Sequence, residues 1–157
     1  MIDLSPDELK RLFASVAVPG AIFYCENFIF DTGFIQDKFL LLLSADLEDD
    51  VADYLLATSK VARIRSIPLL SSECTFIAPS RVRCFTVETV FVAKDLQTRS
   101  VSHLINRFSL PSEYGKLEFR DMMPPDLFTK ILDTVQRSRF VAEDAKQRIA
   151  RSSSTKE

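Results

Sequence analysis

The 157-residue chain has no tryptophan, one histidine, three glycines and three cysteines. Each shortage closes off a class. His103 stands alone, and Cys25, Cys74 and Cys84 form no Cys-x-x-Cys pair, so no ligand set with zinc spacing exists and no metal is expected. An odd number of thiols without framework spacing fits reduced cysteines and predicts a cytoplasmic protein free of disulfides. The strongest apolar run, Phe39 to Leu43, is far short of the roughly 18 residues that span a bilayer. The N-terminus also lacks a basic stretch followed by an apolar block. The expectation is therefore no membrane span and no export signal. No cofactor is expected.

What the chain does hold is a core: 46% of its residues are hydrophobic and 27% charged, the composition of one globular domain. A domain of this length buries roughly two thirds of its unfolded surface and needs no staple. The formal charge of −2 argues against holding nucleic acid by bulk positive field. Its distribution is uneven. Residues 1–59 carry 3 Lys/Arg against 11 Asp/Glu, and residues 60–157 carry 17 against 11. A local basic surface is expected from Lys60, Arg63 and Arg65 and from Arg81 and Arg83, because residues two apart on an extended chain project from one face. The acidic group Asp46, Glu48, Asp49, Asp50 and Asp53 reads as a solvated loop.

Ser5-Pro6-Asp7-Glu8 has the form of a helix start, with a hydroxyl cap, a first-turn proline and Glu8 three residues on. Leu9, Leu12, Phe13 and Val16 continue it as one apolar stripe, so a helix over 5–17 is predicted. From Ala21 the pattern changes to Phe-, Ile- and Val-rich segments. Strands are predicted over 21–30, 38–44, 51–60, 73–78, 84–92 and 100–108, with Asp31-Thr32-Gly33 as a turn. The run 38–44 suits a buried central strand. Pro124-Pro125 opens a C-terminal amphipathic helix whose face, Leu127, Phe128, Ile131, Leu132 and Val135, is expected to close a barrel or a dimer. A polar helix over 142–150 carries Asp144 four residues before Arg148. Residues 1–150 thus form a single domain, mainly β with flanking helices, and 151–157 a frayed tail.

The order of these signals resembles a known family. Pro19-Gly20-Ala21-Ile22-Phe23-Tyr24 opens a strand, Asp37-Lys38-Phe39-Leu40-Leu41-Leu42-Leu43-Ser44 forms the next, and Leu56-Ala57-Thr58-Ser59-Lys60 ends the third. Tyr114-Gly115-Lys116-Leu117, then Met122-Met123-Pro124 and the amphipathic helix, follow. Over roughly residues 19–137 the succession is similar to the MazF/PemK-like toxin family. The resemblance implies a small SH3-like antiparallel barrel, commonly a homodimer, that cleaves single-stranded RNA without a metal and is neutralised by a cognate antitoxin protein. Carried over by position, it places Lys38 where the family has its catalytic arginine, and Thr58, with Ser59 beside it, where the family has a hydroxyl partner. Phe39 departs from the usual proline. A lysine at that place also leaves open a catalytically inactive barrel that binds RNA or protein.

In such chemistry the 2′-hydroxyl attacks phosphorus, and few residues are needed. Lys38 can act as a point charge on the phosphate and, with a lowered pKa, move protons; it lacks the fork of arginine. It reads alternatively as a solvated residue at the start of a strand. Thr58 and Ser59 can hold a non-bridging oxygen, or can simply bond the local backbone. Lys60 to Arg65 can form a phosphate rim or a solvated loop. His103, without a partner nearby in sequence, reads as a packed or surface residue rather than an acid–base group. Phe28, Phe30 and Phe34 are either base-stacking platforms or core, with core the safer assignment.

Overall fold

The computed structural model describes residues 5–109 and 116–154. Helix α1 (Pro6–Val16) starts as its sequence dictates: Ser5 Oγ accepts from the Glu8 N–H at 3.2 Å and donates to the Glu8 carboxylate at 3.1 Å. The chain then turns at Gly20, whose φ of +96° favours glycine. Three antiparallel strands follow: β1 (Ala21–Ile29), β2 (Ile35–Asp46) and β3 (Val51–Thr58). Gly33, at φ +89°, serves the turn between the first two.

The stretch after Thr58 departs from expectation. Residues 61–65 form a short helix, α2 (Val61–Arg65), followed by a 3-10 turn at Pro68–Glu73 and the strand β4 (Cys74–Ile77). Lys60, Arg63 and Arg65 therefore do not share the face of an extended chain: Lys60 precedes the helix, and Arg63 and Arg65, two residues apart on it, point well away from each other. The strand expected over 84–92 is limited to β5 (Thr89–Val92), because residues 79–88 form turns. After β6 (Gln97–Arg99) the expected strand over 100–108 is instead a helix, α3 (Val101–Ser109). Asp50, at φ +54°, reaches across to hold its start: its carboxylate accepts from the Ser102 N–H at 2.7 Å and from the Ser100 and Ser102 hydroxyls. Strand β7 (Leu117–Met122) precedes α4 (Pro125–Arg137) and α5 (Glu143–Ser154). Residues 151–154, expected as frayed tail, continue α5 instead, and residues 155–157, like Tyr114 and Gly115, lie outside the described residues.

The result is a mixed α/β architecture around a seven-stranded antiparallel sheet in the order β4-β5-β3-β2-β1-β7, with β6 paired to the first half of β3. Among the described residues the pairing does not close: β4 and β7 are edges. Helices cover both faces, and a sheet covered on two sides has no need to roll up to hide one. Phe13 of α1 and Val101 and Leu104 of α3 pack with Phe23, Leu40, Leu42 and Tyr54 on one face. Residues of α4 and α5 pack with Ile22, Leu41, Leu43 and Leu55 on the other. That accounts for the unbroken apolar run in β2, whose successive side chains enter opposite cores. It also means that the apolar face of α4 is spent on its own sheet.

Asp53 corrects the loop expected for the acidic group. It lies on β3, fully buried, and accepts from Ser44 Oγ at 2.6 Å, Thr98 Oγ1 at 2.7 Å and both Nε and Nη2 of Arg148 at 2.9 Å. Arg148 also meets Asp144 at 3.5 Å, the pair expected from their spacing. This four-residue network fastens α5 to the sheet.

Candidate functional site

Where β1, β2 and the end of β3 meet the turn before β5, a cavity of about 210 Å³ opens to solvent. Lys38, Thr58 and Ser59 all line it, with Tyr24, Asp37, Phe39, Phe85, Thr86 and Thr89 among the other walls. The pairing of β2 with both β1 and β3 is what gathers them: Lys38 lies opposite Cys25 on β1, and Leu40 opposite Leu56 on β3, so the start of β2 reaches the end of β3.

Lys38 is half-buried, and its Nζ donates to the Ala57 carbonyl over 3.4 Å. Burial lowers its pKa from the ordinary lysine value, and the positive charge of Lys60 lowers it further. The adjacent carboxylate does not compensate, because Asp37 is engaged elsewhere: it accepts from the Tyr24 hydroxyl at 3.1 Å and the Asn27 N–H at 2.9 Å. Burial and that carboxylate raise the Tyr24 pKa, so Tyr24 stands as a neutral donor. Thr58, which lines the cavity, accepts at Oγ1 from the Lys60 N–H at 3.2 Å and keeps one O–H donor. Ser59 is exposed.

The basic residues divide. Lys60 does not line the cavity, although its charge helps lower the Lys38 pKa, and Arg63 is exposed on α2. Arg65 is committed: it grips Glu88 with both guanidinium nitrogens, at 3.0 and 2.6 Å, and lies over Phe76. Arg81 bonds Asp126 at 2.8 Å. Arg81 and Arg83 line a second, broader hollow of about 620 Å³, which shares Phe85 and Thr86 with the Lys38 cavity as a common wall. Residues 81–83 are turn rather than strand, so their two-residue spacing carries no shared face.

His103 sits on α3 and does not line this cavity, and its pKa is lowered by burial and by Arg107 and Arg99. Of the three phenylalanines considered for stacking, Phe28 is buried under the Arg99 guanidinium, while Phe34 is 61% exposed at the β1–β2 turn. Cys84 lines the cavity, but burial pushes its thiol pKa up, away from nucleophilic character. Tyr24, Asp37 and Thr86 were not singled out from sequence. Asp37 had a legible signal in its place beside Lys38; Tyr24 and Thr86 had none, since only cross-strand register and the turn before β5 bring them in.

Among the described residues no group of three or more His, Cys, Asp or Glu is placed to hold a metal ion, and no helix is long and apolar enough to cross a membrane. No family model matches the chain, and no curated protein matches it.

Proposed function

We propose that this chain is an endoribonuclease of the toxin type, cutting single-stranded RNA at the Lys38 cavity without a metal and held in check by a cognate antitoxin protein. The observation that carries the reading is the convergence of a half-buried lysine and a hydroxyl residue on one open cavity: Lys38 and Thr58 both line it. A phosphodiester placed there meets positive charge from Lys38 and Lys60 and a hydrogen bond from Thr58 on a non-bridging oxygen. The neighbouring 2′-hydroxyl gives up its proton as its oxygen attacks phosphorus, the P–O5′ bond breaks with a proton taken up by the 5′-oxygen, and a 2′,3′-cyclic phosphate and a free 5′-hydroxyl remain. Charge builds on the phosphorane oxygens as that bond forms, so Lys38 and Thr58 stabilise the transition state more than the substrate. The small SH3-like barrel, the homodimer and the cytoplasmic setting of the MazF/PemK-like toxins belong to this proposal and stand or fall with it.

The test is a digest of end-labelled single-stranded RNA in the presence of a chelator. Products ending in cyclic phosphate are expected from the wild-type chain and none from Lys38→Ala, with growth arrest on expression of the first alone. Equal cleavage by both proteins would remove Lys38 from the reaction.

A second reading has its own observation. Lys38 already spends a hydrogen bond on the Ala57 carbonyl, and a lysine cannot clamp phosphate with two parallel bonds. A chain that binds RNA with a steep salt dependence yet leaves it intact would be a binding module built on the same cavity.

A further inference from the structure

Among the described residues the Lys38 cavity has one carboxylate in its walls, Asp37, and β1 is shaped to hold it. The two strands pair at Cys25 with Lys38 and again at Phe28 with Gln36, so that Glu26 and Asn27 stand against Asp37 alone. This is a bulge, which re-aims the groups of one strand. Asn27 takes a left-handed backbone there, φ +54°, a conformation that asparagine tolerates better than most residues, and its N–H donates to Asp37 Oδ1 at 2.9 Å. The Tyr24 hydroxyl donates to Oδ2 at 3.1 Å. Each carboxylate oxygen is thus fixed by one donor from β1.

What remains is a pair of acceptors. A carboxylate offers about four lone-pair sites, and Asn27 and Tyr24 use one on each oxygen. Among the described residues Asp37 has no ion pair to take the others, and its side chain is exposed. Its negative charge repels phosphate, so the part of an RNA strand that lies against it has to bring donors. Among the RNA bases only guanine shows two neighbouring donors, N1–H and the N2 amine, on its Watson–Crick edge. Adenine, cytosine and uracil alternate donor with acceptor there, and would set a lone pair against a carboxylate oxygen. Aromatic rings stand beside the carboxylate. Tyr24 meets Phe39 edge-on with centroids 5.1 Å apart, Phe39 meets Phe85 at 5.2 Å, and all three line the cavity, a setting suited to a flat base.

We infer that Asp37 reads a guanine base beside the phosphate held at Lys38, accepting from N1–H and from the N2 amine, so that the cavity selects guanosine in single-stranded RNA. The inference rests on the reading of this cavity as an RNA site and adds its base preference. Tyr24 and Asn27 are positioning residues that fix the angle of the carboxylate. Burial and the bond to Asp37 raise the Tyr24 pKa, so the phenol keeps its proton and stays a donor.

Fluorescence anisotropy of the full chain with labelled uridine oligomers tests it. Every 2′-hydroxyl is replaced by fluorine, so the strands bind but cannot be cut, and only the central base is varied. The strand with central guanine is expected to bind roughly tenfold or more tighter than those with adenine, cytosine or uracil, and inosine, which lacks the N2 amine, should fall between. Asp37→Asn, which turns one acceptor into a donor, should abolish the guanine advantage. Tyr24→Phe, which releases Oδ2, should reduce it without removing it. Equal affinity for every central base overturns the inference. So do inosine bound as tightly as guanine, a guanine advantage that Asp37→Asn retains, and failure to bind any of the strands. The nuclease reading fails separately: a chain that prefers guanine yet leaves natural RNA intact keeps this inference and loses that one, while a chain that cuts at every base alike does the reverse.

Discussion

Two charged groups lie within the folded chain and are treated in opposite ways. Around Asp53 each charge is answered: four hydrogen bonds reach its two oxygens, and the Arg148 fork fits the carboxylate in parallel. Around Lys38 the charge is half-buried with one carbonyl over 3.4 Å, and the charge named beside it has the same sign. The first arrangement has no capacity left for a ligand. The second leaves an open cavity beside its charge. Desolvated charge that the fold leaves unanswered, on the wall of an open cavity, is what distinguishes a reactive site from a structural one.

Breaking the answered group should produce the largest change in stability. Arg148→Ala leaves a buried carboxylate with only two hydroxyls and should cost about 3–5 kcal/mol in urea unfolding, without altering RNA cleavage beyond what unfolding explains. At the cavity the expected effects move to activity. Thr58→Val removes a donor aimed at developing charge and should lower the cleavage rate about 10²-fold while leaving the urea midpoint near wild type. Should the rate hold, the hydroxyl serves only the Lys60 backbone.

Lys38 gives a subtler contrast through pH. Its folded pKa lies below its unfolded one, so between the two the unfolded chain holds a proton that the folded chain has released. Stability contributed by this group therefore rises as pH climbs through that window, and Lys38→Met should flatten the rise. Parallel stability curves for the two proteins would mean that burial does not strain the amine. Cleavage should run the other way, falling as pH rises through the lowered folded value, because the ammonium form is the one that holds the phosphate. The smallest effect is expected at the rim of the answered group: Asp144, 75% exposed, meets Arg148 at 3.5 Å, and Asp144→Ala should cost under about 0.5 kcal/mol.

The sequence carried some elements plainly and hid others. α1 and α4 were legible because cap, proline and apolar stripe are all local, and β2 because an apolar run of strand length has few other homes. α3 was mistaken for a strand although Val101, Leu104, Ile105 and Phe108 stand at helical spacing. Its stretch is rich in β-favouring residues, and the carboxylate that caps its start, Asp50, lies some fifty residues away. Asp53 looked like its acidic neighbours because its partner Arg148 is 95 residues distant. Of the candidate site, the proximity of Lys38 to Thr58 and Ser59 was expected only from the family resemblance. The commitment of Arg65 to Glu88 and of Arg81 to Asp126 was not, because a cation's partner across 23 or 45 residues leaves no local trace.

By itself, then, the amino-acid order determined where chain segments begin and which faces are apolar, since capping and periodicity act within a few residues. Tertiary structure alone decided that helices would cover both sides of an open sheet, which charges would be neutralised, and which amine would be left facing a cavity. Those outcomes depend on contacts between distant residues, and on the low dielectric that makes a distant partner matter.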